Sequence, residues 1–171
     1  MKKILLITLL MGLLINGYGQ INVLEGKYTT FDNKVVDVYQ IVGKYVVLNI
    51  GKTVITADQL NDKVTLEKIL KRSDELYAFY KDNLGFEPAG GNIEFGNKVN
   101  VYFGQPSCGA GCGLVGYKGI EVAYFPDMYN KFKNNLLNVN PDRIISYEFG
   151  RNFFTFSSKI GFPYRPNTED L

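Results

Sequence analysis

The sequence contains no histidine and no tryptophan, and its 171 residues include only two cysteines. Histidine is the commonest ligand of catalytic zinc and the commonest general base in proteins. Its absence excludes Ser-His and Cys-His catalysis within this polypeptide and removes the usual zinc ligand. We therefore expect neither a metal nor a cofactor in this chain.

Long apolar runs are also scarce, and the most apolar one lies at the start of the chain. Residues 1–19 contain Lys2 and Lys3, then a run from Ile4 to Ile15 that is too short to span a bilayer, and then small residues before Gln20. This pattern is typical of a signal peptide, with a retained membrane anchor as the alternative. We expect an exported, periplasmic or extracellular protein without membrane contact after processing.

An excess of one charge is also missing once residues 1–19 are set aside. Removing Lys2 and Lys3 from the 19 basic residues leaves 17, against 17 acidic residues. A neutral chain without a basic cluster gives no electrostatic reason to expect nucleic acid as a partner. The remaining chain of about 150 residues has the size of one ordinary domain.

The first half of the chain changes its hydrophobic period near Asp58. Residues 20–60 are rich in β-branched residues and are expected to form strands, with a hairpin turn at Gly43-Lys44. Helical spacing of apolar residues then predicts a helix over about residues 65–84, which Gly85 ends.

The second half alternates strands and helices. The predicted elements are a strand at 98–103, a glycine-rich loop at 104–119, a strand at 119–125, a helix at 127–138 and a last helix at 141–157. This order predicts an α+β fold, with a β-rich segment at 20–60 and a mixed sheet with a backing helix in 61–171. A natural tail and truncation of a longer protein both remain open for the C-terminus.

The last helix has two distinct faces on a helical wheel. One face predicts a core stripe of Ile145, Phe149, Phe153 and Phe156, and the other gathers the polar side chains of Tyr147, Glu148, Arg151 and Thr155. Glu148 and Arg151 are i,i+3 neighbours, so the guanidinium is expected to hold the carboxylate ionised. Arg151 is a plausible ligand for a carboxylate or phosphate, although a simple ion pair on a partly buried helix is the plainer interpretation.

The stretch from Tyr147 to Phe153, YEFGRNF, resembles the H-E-x-G-H-N-x motif of zincin metallopeptidases, with both histidine positions substituted. The order of helix, strand, glycine-rich loop, strand and motif helix is similar to the upper subdomain of a zincin. The resemblance implies that Glu148 matches the catalytic glutamate, that Tyr147 and Arg151 stand at the ligand positions, and that Asn152 is an accessory residue. It also implies a substrate cleft bordered by strand 119–125, which carries Glu121.

The glycine-rich loop contains both cysteines, Cys108 and Cys112. In an exported protein, this pair predicts a small disulfide, and the glycines between them are flexible enough to close the ring. A two-thiolate metal site is the alternative, although it lacks histidine partners. The loop does not have the ending that a phosphate-binding loop requires.

Three functions are compatible with these features. The first is an exported zincin-like domain without zinc or peptidase activity that binds a peptide or glycan in the cleft. The second is a metal-independent hydrolase, glycosidase-like, that draws on Glu148, Glu121 and Asp127 as its carboxyl groups. The third is a secreted adhesion module in which the last helix is purely structural. The first hypothesis is preferred.

Overall fold

The computed structural model describes residues 21–85, 93–113, 118–136 and 143–154. Within these ranges, six strands form one mixed sheet in the order β1-β2-β3-β4-β6-β5. The strands are β1 (Val23–Thr29), β2 (Val35–Val42), β3 (Val46–Gly51), β4 (Val99–Phe103), β5 (Gly111–Cys112) and β6 (Gly119–Val122). The helices are α1 (Ala57–Asn61), α2 (Lys63–Leu84), α3 (Phe125–Lys133) and α4 (Arg143–Phe154), with a 3₁₀ turn at Ile93–Phe95.

The first three strands form an antiparallel meander, and the hairpin between β2 and β3 turns at the predicted Gly43-Lys44. Strand β3 then pairs in parallel with β4, and β4 pairs in parallel with β6. The short strand β5 returns antiparallel to β6. The predicted α+β class is confirmed, and the β-rich start of the chain shares its sheet with the second half.

Helix α2 lies where the hydrophobic period predicted it. Asp62 caps its N-terminus by accepting a hydrogen bond from the Thr65 amide (3.1 Å), and Gly85 ends it in the left-handed conformation at φ 69°. The buried side of the helix carries Leu66, Ile69, Leu70, Ser73, Leu76 and Tyr77. The apolar members of this set join one face of the sheet in the main core.

The prediction around residues 119–138 needs two corrections. Strand β6 ends at Val122 and not at 125, because Tyr124 turns the backbone to φ 64° and α3 begins at Phe125. Helix α3 ends at Lys133 and does not reach 138. Asn135, at φ 48°, ends it through hydrogen bonds from the Asn135 and Leu136 amides to the carbonyls of Phe132 and Lys131. Residues 137–140 lie outside the described ranges.

Helix α4 packs its aromatic stripe onto β6 and α2. Ile145, Phe149 and Phe153 are fully buried as predicted, and the ring of Tyr77 lies 5.9 Å from Phe149 and 5.2 Å from Phe153. The Tyr80 hydroxyl donates a hydrogen bond to the Ser146 carbonyl (3.0 Å) and approaches Gly150, where a Cβ would lie 3.0 Å from that oxygen. Phe156 and Thr155 lie outside the described residues.

The other face of the sheet carries a smaller cluster of Tyr28, Val38 and Tyr102, with the two tyrosine rings stacked at 4.6 Å. In the described part of the chain, no helix is long and apolar enough to cross a membrane.

Candidate functional site

The polar face of α4 brings together the three side chains that the motif singled out. The Arg151 guanidinium donates to the Glu148 carboxylate, with Nη1 3.1 Å from Oε2, and lies 5.6 Å above the centre of the Tyr147 ring. Tyr147 is 62% exposed and the Arg151 side chain 35%, whereas Glu148 is only 3% exposed. Solvent exposure therefore decreases across the trio, from the Tyr147 ring through Arg151 to the Glu148 carboxylate.

Strand β5 covers the carboxylate of Glu148. A Cβ placed on Gly111 would lie 2.8 Å from Glu148 Oε1, and one on Gly113 would lie 2.0 Å from the Glu148 carbonyl oxygen. Side chains at residues 111 and 113 would therefore both point towards Glu148. At residue 113 a Cβ would meet the backbone of α4, and at residue 111 it would have to displace the Glu148 side chain.

Two opposing effects act on the pKa of the Glu148 carboxyl. Burial raises the pKa of the Glu148 carboxyl above its ordinary value, although Arg151 and the Gly113 amide act in the opposite direction. Arg151 lowers the pKa, as the i,i+3 spacing predicted, but desolvation beneath β5 is the larger effect. The ion pair itself was predicted correctly.

Glu121 does not join this trio. It alternates along β6 with Ile120 and Val122, which belong to the main core, so its side chain points to the opposite face of the sheet. There, fully buried, it accepts hydrogen bonds from the amides of Phe31 (2.8 Å) and Ser107 (2.6 Å) and from the Tyr28 hydroxyl (3.3 Å). Glu121 fastens the β1–β2 turn to the cysteine loop and does not line a surface shared with Glu148.

The three acids proposed for a hydrolase are also separated. Asp127 lies on α3, where its exposed carboxylate pairs with Lys131 Nζ at 2.7 Å. Glu148 lies under β5, and Glu121 lies on the other face of the sheet. Asn152, predicted as an accessory binding residue, is fully buried on α4. The structure thus brings together Tyr147, Glu148 and Arg151 and places the other predicted site residues elsewhere.

The cysteine loop leads into strand β5, which covers Glu148. Cys108 and Cys112 pair at disulfide distance, with their Cα atoms 5.6 Å apart, as the sequence predicted. Cys108 is exposed, whereas Cys112 is buried and belongs to β5. Since β5 was hidden inside the predicted loop, β6 was expected to border the cleft. The structure instead places β5 last in the strand order.

Some supporting residues were missed by sequence reasoning. Asp74 on α2 accepts hydrogen bonds from the amides of Lys44, Tyr45 and Val46 at 2.7 to 3.0 Å, which anchors the β2–β3 turn. Nothing local marks this role, because the partners are about 30 residues away. The alternation of Gly111 and Gly113, in contrast, is a period-two signal that the sequence did contain.

Over the described ranges, no group of three or more Cys, Asp, Glu or His residues is placed to hold a metal ion. Neither a protein-family model, nor a curated protein, nor a solved structure matches this chain. The class that fold and site define is an α+β domain with a covered carboxylate beneath an exposed Tyr–Arg pair.

Proposed function

We propose that this chain is an exported, zincin-like domain that lacks zinc and peptidase chemistry and binds an extended peptide or a glycan. The binding surface is the face of α4 that carries Tyr147 and Arg151, beside strand β5. The enclosure of Glu148 is the observation that carries the proposal. The residue that matches the catalytic glutamate is 3% exposed and lies against Gly111 and Arg151, where a substrate cannot reach it.

Arg151 supports the absence of zinc chemistry. Its guanidinium nitrogen lies 3.1 Å from the Glu148 carboxylate, at a helix position where the resemblance would place a metal ligand. A permanent positive charge there repels a second cation and supplies the counter-charge that the carboxylate needs. In this proposal, Arg151 takes over the electrostatic part of the metal's role and leaves no Lewis acid.

Tyr147 and Arg151 support a binding role. Tyrosine and arginine are enriched among the residues that dominate binding energy, because both offer a large flat surface together with hydrogen-bond donors. The exposed Tyr147 ring is steadied by the guanidinium next to it. Strand β5, at the end of the strand order, is the place where an extended peptide would add to the sheet.

The binding experiment uses the chain that begins at Gln20, applied to peptide and glycan arrays and followed by titration of the best hits. We expect Tyr147→Ala to weaken binding by about 2 kcal/mol, the scale of an aromatic hot spot. Phe79→Ala, which removes another exposed aromatic ring, is the matched control and should bind normally. If both variants bind like the wild type, this face is not the binding surface. If the chain binds no peptide or glycan on the arrays, the result favours the adhesion module, in which the last helix is purely structural.

Two further measurements test the other parts of the proposal. Metal analysis of the purified protein should find much less than one zinc per chain, and a stoichiometric content would overturn the loss of metal. The mass of protein secreted by an expressing cell should correspond to a chain that begins at Gln20. Retention of residues 1–19 in a membrane fraction would instead indicate the anchor.

The metal-independent hydrolase is the second candidate, because burial raises the pKa of the Glu148 carboxyl and so favours a proton donor. The enclosure of Glu148 and its separation from Glu121 and Asp127 count against it. Chromogenic glycosides test it directly. Turnover that disappears in Glu148→Gln would favour the hydrolase over the binding domain, whereas the binding proposal expects no turnover in either form.

A further inference from the structure

A groove of about 260 Å³ lies between α2 and the C-terminal end of α3. One side is formed by Lys68, Lys71, Arg72 and Glu75, which follow each other at helical spacing and therefore share one face of α2. The other side is formed by Lys131 and Asn135. The groove is thus lined by four cationic side chains and one carboxylate, a local basic cluster that the sequence analysis did not identify.

The floor of the groove is apolar because of the way α3 ends. Asn135 adopts a left-handed conformation, and the Leu136 amide bonds back to the Lys131 carbonyl at 3.1 Å. This turn brings Leu136, which stays 45% exposed, beside the partly buried ring of Phe132. An exposed leucine next to an aromatic ring is a contact surface for an apolar side chain.

Three of the cations around this floor make contacts that a ligand could compete with. Lys68 donates to the amide oxygen of Asn135 (2.9 Å), which brings no negative charge. Arg72 pairs with Glu75 within α2 (3.4 Å), and Lys131 pairs with the exposed Asp127 within α3. Both pairs are at least partly open to solvent and lie within one helix, so they contribute little and a ligand carboxylate can replace them at small cost.

We propose that this groove, independently of the α4 surface, binds an acidic peptide segment of a partner protein. An apolar side chain of the segment lies on Phe132 and Leu136, and its carboxylates face Lys68, Lys71 and Lys131. The apolar floor favours a peptide over a polysaccharide, which would offer charge without an apolar side chain. Because the chain beyond residue 19 is neutral overall, the attraction comes from this local cluster and not from a general affinity for polyanions.

The test uses the chain from Gln20 and a fluorescein-labelled octapeptide of alternating glutamate and leucine. Two matched peptides replace leucine by serine or glutamate by lysine. We expect anisotropy changes only with the glutamate–leucine peptide, and weaker binding as NaCl rises from about 0.05 to about 0.5 M, because salt screens exposed charges. Amide chemical shifts should change at residues 68–75 and 131–136.

Variants decide whether the groove is responsible. Lys71→Glu should weaken binding by at least about fivefold, the value of one good exposed ion pair. Lys118→Glu makes the same charge change at an exposed lysine outside the groove and should bind normally. Leu136→Ser should weaken the binding of the glutamate–leucine peptide. Circular dichroism confirms that each surface variant is folded.

Three results would overturn the proposal. The first is equal binding by the Lys71→Glu variant and the wild type. The second is equal binding of the glutamate–leucine and glutamate–serine peptides, which would indicate a site for any polyanion. The third is Lys71-dependent sedimentation with phosphatidylserine vesicles without peptide binding, which would make the groove a contact for anionic lipid.

Discussion

The Glu148 carboxylate lies directly against the backbone of Gly111, so that a methyl group at residue 111 would stand 2.8 Å from Oε1. This contact joins the most informative residue of the last helix to a strand of only two residues. It explains why a glutamate on the polar face of α4 is nearly as buried as the aromatic stripe.

Gly111→Ala tests this contact by stability. The added methyl must displace the Glu148 side chain, and we expect the free energy of unfolding to fall by about 1–3 kcal/mol, the usual cost of overpacking. Urea denaturation monitored by tyrosine fluorescence is the measurement. In a Glu148→Ala background the atoms that obstruct the methyl are gone, so the same substitution should cost clearly less. Equal losses in both backgrounds would show that the two residues are not coupled.

Glu148→Gln tests the effect of burial on protonation. A carboxyl whose pKa is raised on folding binds its proton more tightly in the folded state than in the unfolded chain. Its contribution to stability is therefore present at acid pH, below the unfolded value of about 4.3, and is lost as pH rises through the raised pKa. Unfolding free energies measured across this window should fall less steeply for Glu148→Gln than for the wild type. Superimposable profiles would contradict the assignment.

Reduction of the Cys108–Cys112 pair tests whether the disulfide holds strand β5 against Glu148. Closing so short a loop restricts the unfolded chain by about 2 kcal/mol, so reduction should lower stability by about that amount. Hydrogen exchange should accelerate at the amides of Gly111, Cys112 and Gly113. Amides of the central strand β3 serve as the internal control and should change only with global stability. Exchange at 111–113 that is unchanged by dithiothreitol would show that β5 is held without the bridge.

Glu121→Gln tests the buried hydrogen bonds of Glu121 on the other face of the sheet. The carboxylate accepts from two amides and one hydroxyl, and an amide side chain can offer only one oxygen while pointing an NH₂ group at a donor. We expect a loss of about 2–4 kcal/mol in the free energy of unfolding, since bonds to charged groups are the stronger ones. Glu25→Gln, which removes an exposed partner of Lys52, is the control and should cost little. A Glu121→Gln protein as stable as the control would contradict the role of Glu121.

The elements that the sequence predicted well have a local physical signature. Helix α2 combines a helical repeat of apolar residues with a glycine that adopts φ 69° at its end. The stripe of Ile145, Phe149 and Phe153 follows from the same period, and the disulfide follows from two cysteines four residues apart in a flexible loop. The Glu148–Arg151 pair is likewise a consequence of i,i+3 spacing.

The errors occur where a distant partner or an unannounced backbone turn decides the outcome. Strand β5 has little strand propensity of its own and exists because Gly111 and Cys112 pair with Val122 and Glu121. The end of β6 depends on Tyr124, whose left-handed backbone no local pattern announces. Glu121 was grouped with Glu148 because the resemblance placed strand 119–125 at the border of the cleft. One residue along a strand nevertheless reverses the face to which a side chain points.

The sequence by itself determined the α+β class, the main helix, the aromatic stripe and the exclusion of histidine chemistry, because each depends on composition or on spacing within one element. Only the tertiary structure decided that Glu148 is covered, that its pKa rises despite Arg151, and that Glu121 belongs to the other face. Burial and desolvation depend on which backbone packs against a side chain, and for Glu148 that backbone is more than 30 residues away in the chain.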